Sequence, residues 1–320
     1  MSELPQAVSS PVVSVLMPVF NGEKYLAKAM SSILSQTFRD FELLVLDDGS
    51  ADDSLKILRE FEVLDSRIRL TTRENRGLIA TLNELVVQAR GKYMARMDTD
   101  DIALPGRFAR QLDFLEKNPS VVCVGGSFDI IDGAGRYLTT LKQPQLNAEI
   151  QKLMLVGHVA INHPTVMVRS ATMRAVGGYD ARYEAAEDYD LWLRIGEIGE
   201  LANLSEVVLK YRLHENSVSE TAGKKQRESI HRACECAWVR RGIASGVFAA
   251  NGLWRPSSDV ESQQTFALQY GWWAWNSCQR STAIYYGWKS VKLQLFSLAG
   301  WKLLMIALIK PLPESRKEIR

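Results

Sequence analysis

Apolar residues in the first third of the chain follow two alternating patterns. The run Val12–Phe20 is apolar and rich in β-branched residues, and Asn21-Gly22 closes it, as expected for a buried strand followed by a turn. In Glu23–Gln36 the apolar residues recur three or four positions apart, which is the period of a helix. Repetition of this alternation predicts a parallel sheet covered by helices. Further strands are predicted at 41–46, 68–72, 93–97 and 121–124, and further helices at 52–65, 78–90 and 106–117.

The second half of the chain has a less regular pattern, and its end is helical. Residues 12–220 are expected to form one α/β domain, after a flexible N-terminus at 1–11 and before an all-helical region at 221–320. The boundary is placed at Ser217–Gly223. In this half, helices are predicted at 147–156 and 187–198, strands at 165–168 and 207–213, a turn at 132–135, and C-terminal helices at about 223–242, 259–280 and 282–309.

The composition is that of an ordinary globular protein, with 46% hydrophobic and 24% charged residues. A net charge of +2 gives no reason to expect nucleic acid as a partner. The four cysteines have no CxxC spacing, so a reducing compartment is expected. The first residues lack the pattern of a signal peptide, and no apolar run is long enough to predict a transmembrane helix. These features favour a cytoplasmic location, either free or peripheral at the inner face of the membrane.

The C-terminal tail differs in character from the rest of the chain. From Tyr285 onward it carries seven Lys or Arg residues and two Glu, a net charge of +5, and seven of the eight tryptophans follow residue 237. Val291–Ile309 is nearly apolar, but Lys292 and Lys302 divide it into runs too short to cross a bilayer. Basic and aromatic residues beside an apolar helix are typical of an interfacial helix, so 283–320 is a candidate membrane contact. A helical hairpin packed on the α/β domain, or a homodimer interface, explains the same pattern.

Two clusters of acids follow predicted strands. Asp98-Thr99-Asp100-Asp101 comes directly after the apolar run Tyr93–Met97, and Asp47-Asp48 follows the strand at 41–46. Carboxylates this close repel each other unless a cation separates them, and a small number of hard oxygen ligands suits Mg²⁺ or Mn²⁺ that also carries a phosphate. The carboxyl ends of parallel strands share the edge of the sheet where ligands bind. The alternatives are an acidic loop that caps the next helix and, for Asp47-Asp48, a turn followed by an N-cap.

The chain carries an ordered set of short motifs: Val13–Gly22, Gln36-Thr37-Phe38, Asp47-Asp48-Gly49-Ser50, Asn75-Arg76-Gly77, Leu82-Asn83, Gly91, Ala95–Asp101, Gly177-Gly178-Tyr179-Asp180 and Glu187–Leu193. Across about residues 12–215, this set resembles the inverting family-2 glycosyltransferases. This resemblance implies the GT-A fold, an α/β architecture with a mainly parallel sheet and helices on both faces, here followed by a C-terminal all-helical region. It also implies that 12–120 bind a nucleotide-sugar and that 121–220 form the acceptor side.

The resemblance implies a role for each residue that matches a nucleotide motif. The first loop would contact the base and ribose, Asp48 with Asp47 would accept a hydrogen bond from the base, and the Asn75-Arg76-Gly77 loop would close over the nucleotide. Two positions have a structural alternative, because Glu23 also suits the dipole of a helix start and Gly77 suits a helix start that needs a small residue. The nucleotide-binding candidates are Pro18, Phe20, Asn21, Glu23, Asp47, Asp48, Asn75 and Gly77.

The same resemblance implies a metal site. Asp98 and Asp100 match the family's Asp-X-Asp motif, with Asp100 as the preferred direct ligand of Mn²⁺ or Mg²⁺, whereas Asp101 is expected to cap the following segment. His214 stands where some relatives place a third ligand of the metal or diphosphate. The alternatives are that His214 is polar surface and that Arg212 faces the diphosphate.

A general base is implied near the start of a later helix. Asp188 matches the family's catalytic acid, and inversion needs a carboxylate opposite the leaving nucleotide to take the acceptor proton. The alternative for Asp188 is an acid that compensates the helix dipole. Glu187, Asp188 and Asp190 cannot all be bases, so at least one of them is expected to be structural.

These features predict an inverting, metal-dependent hexosyltransferase that moves one sugar from a nucleotide-sugar donor to an acceptor hydroxyl. The motif set favours a UDP-linked donor and a role in cell-surface polysaccharide or glycolipid assembly, with a glycan or lipid-linked acceptor. Processive synthases carry a Gln-X-X-Arg-Trp element and several membrane spans, and their absence here favours addition of a single sugar. The alternatives are an inactive nucleotide-sugar-binding module and a sugar nucleotidyltransferase, although Pro18–Gly22 is not the glycine-rich phosphate loop of the latter.

Overall fold

The computed structural model describes residues 10–214, 223–249 and 260–313. In the first third, strands and helices alternate where the apolar pattern predicts them: β1 (Val13–Val19), α1 (Glu23–Leu34), β2 (Phe41–Asp47), α2 (Ser54–Leu64), β3 (Ile68–Thr72), α3 (Leu78–Gln88), β4 (Tyr93–Arg96) and α4 (Arg107–Lys117). The four strands are parallel and pair in the order β3-β2-β1-β4. Their carboxyl ends therefore lie along one edge of the sheet.

The second half of the domain adds antiparallel strands and makes the sheet a mixed one. Its elements are β5 (Ile102–Ala103), β6 (Val121–Asp132), β7 (Tyr137–Leu141), α5 (Asn147–Met154), β8 (Met167–Arg169), α6 (Ser170–Ala175), α7 (Glu187–Ile195) and β9 (Glu200–Leu213). The full order is β3-β2-β1-β4-β8-β6-β9-β5, with β7 paired to β6. β8 lies antiparallel between β4 and β6, whereas β9 is parallel to β6. β6 therefore runs in the direction of the first four strands without pairing with any of them.

Two strands are longer than the sequence pattern predicts. β6 continues through Gly125-Gly126 instead of ending at Val124, and β9 begins earlier than expected, at Glu200. Glycine weakens a strand signal in a sequence, but here it lets two strands approach closely. A Cβ atom at Gly125 would lie 2.3 Å from Asn203 Oδ1, and one at Gly126 would lie 2.9 Å from the side chain of Val208. Larger residues at these positions would collide with β9. Glycine leaves the space that β9 needs, so the strand can continue through both positions.

Two hydrophobic cores, one on each face of the sheet, bury the helices. α1, α2 and α4 pack on the face to which Val13, Val15 and Met17 of β1 point. α3, α5 and α7 pack on the other face, which Leu16 reaches from the same strand. Side chains that alternate along a doubly covered strand give both faces an apolar surface. The predicted coverage by helices on both faces is confirmed.

The C-terminal helices divide between the two faces. α8 (Gly223–Arg240) packs beside α7, whereas α9 (Val260–Asn276), α10 (Arg280–Leu293) and α11 (Leu298–Ile309) join the core that contains α1 and α4. No helix in the described ranges is long and apolar enough to span a bilayer. Residues 1–9 of the expected N-terminal segment, and all but Gly223 of the expected boundary, lie outside the described residues.

The helix predicted at 282–309 is in fact two helices. The chain leaves the helical conformation at Gln294 and resumes it at Leu298. This break allows α11 to fold back on α10, where a Cβ atom at Gly287 would lie 3.0 Å from the Cα atom of Leu304. Folding back buries Leu303 and Leu304, which a single straight helix would leave without that partner.

Candidate active site

The carboxyl ends of β1, β2 and β4 bring three polar loops to one edge of the sheet. The β1–β2 register places Val19 opposite Asp47, and the β1–β4 register places Leu16 opposite Arg96. The loops that follow these strands therefore leave the sheet side by side. Pro18 lies beyond the last β1–β4 pair, where its missing N–H removes no bond from that ladder. In open α/β sheets this edge forms the ligand crevice.

Hydrogen bonds hold the first loop against the loop that follows β2. Asn21 has a left-handed backbone with a φ of 49°, and its Oδ1 accepts the N–H of Ala51 at 2.8 Å. The carboxylate of Glu23 accepts the N–H of Asp53 at 2.9 Å. Phe20, by contrast, leaves 54% of its surface exposed. Asn21 and Glu23 thus fix the loop, while the Phe20 ring is accessible for stacking.

Asp48 holds the loop that follows β3. Its buried carboxylate accepts the N–H groups of Arg76 at 2.9 Å and Gly77 at 2.8 Å, and also a hydrogen bond from the guanidinium of Arg73. Gly77 has a φ of +86°, and no atom lies within 4 Å of the position that its Cβ would take. The backbone conformation, and not a lack of space, therefore requires glycine there.

Asp47 and Asn75 flank this carboxylate. Asp47 is buried and accepts the Thr72 hydroxyl at 3.0 Å and the Ser50 N–H at 3.3 Å. Asn75 is exposed, and its backbone N lies 2.8 Å from where a Cβ of Gly49 would stand. Asp47 therefore joins β2 to β3, whereas Asn75 lies at the rim of the crevice.

Two arginines position the second acid cluster. The buried guanidinium of Arg96 donates to Asp98 Oδ1 at 2.6 Å, and Arg212 Nε donates to the backbone carbonyl of Asp100 at 2.7 Å. Asp101 is buried and accepts the backbone N–H of Arg212 at 2.9 Å. Burial, with the nearby charges of Asp100 and Asp98, raises the pKa of Asp101 well above its usual range. The expectation that Asp101 caps the next segment is wrong, because Asp101 anchors the loop to β9.

His214 lies beside the Asp-X-Asp motif. Its Nε2 is 2.9 Å from Asp100 Oδ2, and its ring packs at 5.1 Å, between centroids, on Tyr25. Carboxylate and imidazole groups are a donor set that suits Mn²⁺, and Asp98 lies two residues from Asp100. Within the described ranges, no group of three His, Cys, Asp or Glu residues forms a complete metal site. The residues therefore fit a metal whose remaining ligands are water or substrate phosphate.

The start of α7 places two acids at the crevice. Ala185 has a left-handed backbone with a φ of 65°, so the chain turns sharply before Glu187 and Asp188. Asp188 Oδ1 accepts the Tyr189 N–H at 2.8 Å. Burial raises the pKa of Asp188 to about 6, and burial together with the charge of Asp188 raises the pKa of Glu187 to about 7.

Electrostatic effects relate Asp188 to the Asp-X-Asp motif. Beyond burial, the charge of Asp98 raises the pKa of Asp188, and that of Arg96 lowers it. Burial and Arg96 also lower the pKa of His163 well below its usual value, and its Nε2 lies 2.8 Å from the Tyr179 hydroxyl. The acid at the start of α7 and the first acid of the motif are therefore close enough to repel each other, and the positive charge of Arg96 acts on both.

Asp190 has a structural position, unlike its neighbours. Its carboxylate is buried and forms an ion pair with Arg194 at 2.7 Å. The same guanidinium donates to the carbonyls of Val176 at 2.7 Å and Gly178 at 2.9 Å. A Cβ at Gly178 would lie 2.6 Å from Asn83 Oδ1, so this loop packs closely on α3. These contacts agree with the expectation that at least one acid of α7 is structural.

Sequence reasoning missed two buried arginines. Arg96 enters the sequence analysis only as part of a motif, although its charge lowers the pKa of Glu187 and Asp188 and its guanidinium donates to Asp98. Arg107 is fully buried and donates to the carbonyls of Arg96 at 2.9 Å and Val166 at 3.1 Å, and burial lowers its pKa to about 9. One sequence feature does indicate that Arg107 is buried. It directly precedes Phe108 on the apolar face of a strongly amphipathic helix.

Comparison with known proteins identifies the family. Residues 14–174 match the profile of Glycosyl transferase family 2. The chain is 35% identical over 237 residues to an uncharacterized glycosyltransferase of Haemophilus influenzae, across 69% of this chain and 73% of the relative. It is 34% identical over 215 residues to the O-antigen biosynthesis glycosyltransferase WbnJ of Escherichia coli, across 66% of this chain and 83% of the relative. The chain therefore belongs to glycosyl transferase family 2.

Solved structures of glycosyltransferases share the fold. The S. aureus TarS fragment 1–349, in complex with UDP-GlcNAc, has a TM-score of 0.58 and 17% identity, covering 92% of this chain and 79% of that one. The mannosyltransferase PcManGT of Pyrobaculum calidifontis, in complex with GDP-Man and Mn²⁺, has a TM-score of 0.54 and 17% identity, covering 95% and 82%. These likenesses confirm the predicted GT-A type of fold.

Proposed function

We propose that this glycosyltransferase transfers a single hexose from a nucleotide-sugar to an acceptor hydroxyl with inversion at the anomeric carbon. The observation that carries the proposal is the mutual electrostatic influence of Asp188 and Asp98 beside Arg96. An acid able to take a proton and an acid able to bind a cation thus share one crevice. Inversion requires these two groups on opposite sides of the reacting carbon.

Asp188 is the general base of this proposal. Its carboxylate removes the proton of the acceptor hydroxyl as that oxygen attacks the anomeric carbon, while the nucleotide diphosphate leaves. The pKa of Asp188, raised to about 6, makes it a stronger base than an ordinary aspartate yet leaves it ionised at neutral pH. Glu187 is the neighbouring acid. With its pKa of about 7, it would remain protonated up to a higher pH than Asp188.

Asp98, Asp100 and His214 are the residues that would hold the metal in this proposal. Bound Mn²⁺ or Mg²⁺ would supply positive charge that offsets the charge gained by the leaving diphosphate. Arg96 keeps Asp98 in place through its 2.6 Å hydrogen bond, and Arg212 keeps the Asp100 backbone in place at 2.7 Å. The Arg212 guanidinium is buried and donates to the carbonyls of Asp100 and Asp132, which supports a role in positioning this loop.

The nucleotide would lie along the loops of β1, β2 and β3. Phe20 offers an exposed ring, and the buried carboxylate of Asp48 holds the Asn75-Arg76-Gly77 loop through the N–H groups of Arg76 and Gly77. Pro18, Asn21, Glu23 and Asp47 shape these loops. We favour a UDP-linked donor on the motif set; the structural neighbours include one complex with UDP-GlcNAc and one with GDP-Man.

A role in cell-surface polysaccharide or glycolipid assembly agrees with the curated relatives. Besides WbnJ, the chain is 28% identical over 233 residues to the chondroitin synthase of Escherichia coli, across 33% of that protein. The acceptor would then be a growing glycan or a lipid-linked sugar. No observation favours a nucleotidyltransferase, and a binding module without activity would fail the turnover test below.

Thermal stabilisation by nucleotide-sugars with and without Mn²⁺ tests the donor and the metal together. A ligand that binds only the folded protein raises its melting temperature, so we expect a UDP-sugar to give the largest rise and the rise to need Mn²⁺. Asp100→Asn should remove the Mn²⁺-dependent part, whereas Asp113→Asn, an exposed acid of α4, should change nothing. An unchanged response in Asp100→Asn would overturn the metal assignment. The transferred product should then show the anomeric configuration opposite to that of the donor.

A further inference from the structure

The outer side of the last two helices exposes large apolar residues. Phe296, in the turn between α10 and α11, is 95% exposed, and Leu298, which begins α11, is 85% exposed. Side chains this apolar and this exposed are unusual when they lie together on a monomer. The other large apolar residues exposed here are Tyr285, Trp288, Leu295, Trp301, Met305, Leu308, Ile309 and Leu312.

These residues form one continuous surface, which we call the outer face. The rings of Trp288 on α10 and Trp301 on α11 meet edge-on with centroids 6.2 Å apart. Trp301 Nε1 donates to the carbonyl of Leu295 at 2.8 Å, so its ring also covers the turn. On α11 the exposed positions recur every three or four residues from Leu298 to Ile309, which makes a stripe along one side of the helix.

The inner side of the same two helices is already occupied by protein. Val291, Leu303 and Leu304 are buried between α10, α11 and α9, and Gly271 lies against Leu303. α11 is therefore apolar on both sides, which is the character of a helix that is buried all round. Its outer face is consequently apolar without being required by the fold of the chain itself.

Charge in this segment has a single sign. From Arg280 to Pro313 the sequence contains five Lys or Arg residues and no Asp or Glu. Lys292, Lys302 and Lys310 are exposed on α10, on α11 and directly after α11. Two copies of such a face would repel each other, whereas an anionic lipid surface would attract it. Long lysine side chains also place their stems along an apolar surface and their charges at its border.

We propose that the outer face of α10 and α11 docks on an anionic lipid bilayer. α11 would lie flat in the interface, because its exposed stripe runs along the helix and no described helix is long and apolar enough to span. Trp288 and Trp301 would sit at the level of the headgroups, where amphipathic rings are favoured. This proposal is independent of the reaction proposed above.

The opposite side of α10 is attached to the strand that adjoins the candidate active site. Tyr286 donates its hydroxyl to Asp132 Oδ2 at 2.9 Å, at the end of β6. Arg212 donates to the backbone carbonyl of Asp132 at 3.1 Å and to that of Asp100 at 2.7 Å. These hydrogen bonds connect α10, which carries part of the outer face, to the Asp100 loop of the candidate active site.

Co-sedimentation of the full chain with vesicles tests this proposal. We expect binding to phosphatidylcholine vesicles that contain phosphatidylglycerol, weaker binding to pure phosphatidylcholine, and a decline of the difference as salt rises. Changing Lys292, Lys302 and Lys310 together to Gln should weaken binding to anionic vesicles by roughly 100-fold. The double variant Phe296→Ser/Leu298→Ser should weaken it by at least about tenfold.

A matched control removes equally exposed apolar residues elsewhere. Val63 and Leu64 of α2 are 86% and 80% exposed, so Val63→Ser/Leu64→Ser should bind vesicles like the parent chain. Both double variants should keep the parent melting temperature and its response to UDP-sugar, since only exposed side chains change. Absence of vesicle binding, or equal loss in both double variants, would overturn the proposal. A dimer that Phe296→Ser/Leu298→Ser disrupts, without vesicle binding, would assign the outer face to a second copy instead.

Discussion

Asp188 and Asp190 lie two positions apart on α7 and have opposite surroundings. Asp190 is buried in an ion pair with Arg194, whereas Asp188 lies at the crevice and accepts the backbone N–H of Tyr189. We expect Asp188→Asn to retain donor binding and to lose turnover by roughly 10²–10⁴-fold, because the amide cannot take a proton. Asp190→Asn should instead destabilise the fold by about 3 kcal/mol, since it leaves Arg194 unpaired.

Measuring kcat and donor affinity for both variants separates the two roles. Stability is read from urea unfolding. Near-normal turnover of Asp188→Asn would transfer the base to Glu187, which lies beside it with a raised pKa.

The raised pKa of Asp188 also sets a pH dependence. A general base works only when deprotonated, so turnover should fall as the pH decreases through about 6, the pKa to which burial raises Asp188. A bound divalent cation favours the ionised carboxylate, so saturating Mn²⁺ should move this fall to lower pH. The measurement is kcat/KM against pH at two Mn²⁺ concentrations. A profile that is flat from about pH 5 to 8 contradicts Asp188 as the base.

At the scale of elements, two helices that start at glycine make a matched pair. Gly77 precedes α3 with a φ of +86°, and Gly106 precedes α4 with a φ of −91°. Alanine is a poor N-cap at both positions, but only at Gly77 must it adopt a conformation that L-residues rarely take. We expect Gly77→Ala to cost about 1–3 kcal/mol more stability than Gly106→Ala, as measured by urea unfolding. Equal costs would show that the loop over Asp48 relaxes readily.

Local patterns were sufficient to predict most elements, and contacts between distant residues explain the exceptions. The first four strands and their helices have clear apolar periods, so the parallel half of the sheet was predictable. The length of β6 was not, because Gly125-Gly126 is explained only by the approach of β9, almost eighty residues later. The break at 294–297 likewise accompanies the packing of α11 on α10, and the local sequence does not indicate this contact.

The candidate site shows the same division. Its acids stand in short motifs after β2 and β4 and at the start of α7, and they were predicted as candidates from the sequence. The contacts through which Arg212 and Arg96 position them were not predicted, because Arg212 reaches Asp100 across 112 positions of sequence and Arg96 lies inside an apolar run. A single arginine inside an apolar run does not produce a pattern that identifies its partner. Only the fold shows which carboxylate it contacts.

At the scale of the whole molecule, a buried hydrogen bond joins the helical tail to the α/β domain near the candidate site. Tyr286 is buried and donates to Asp132, 154 positions earlier in the chain. Tyr286→Phe should therefore cost about 1.5–3 kcal/mol, the usual worth of a hydrogen bond to a charged group. Urea unfolding measures the loss. Tyr285→Phe is the control, because the neighbouring ring is partly exposed and packs on Arg136 by its face, so we expect a cost below about 1 kcal/mol.

The Arg212 guanidinium touches the loop of Asp100 on one side and the strand end that holds Tyr286 on the other. If a lipid surface and a donor nucleotide both act on this arginine, their affinities belong to one thermodynamic cycle. Whatever factor the vesicle applies to donor affinity, the donor must apply to vesicle affinity, because the free energy around the cycle is zero. If the donor strengthens vesicle binding, loss of the nucleotide after transfer would weaken vesicle binding by the same factor.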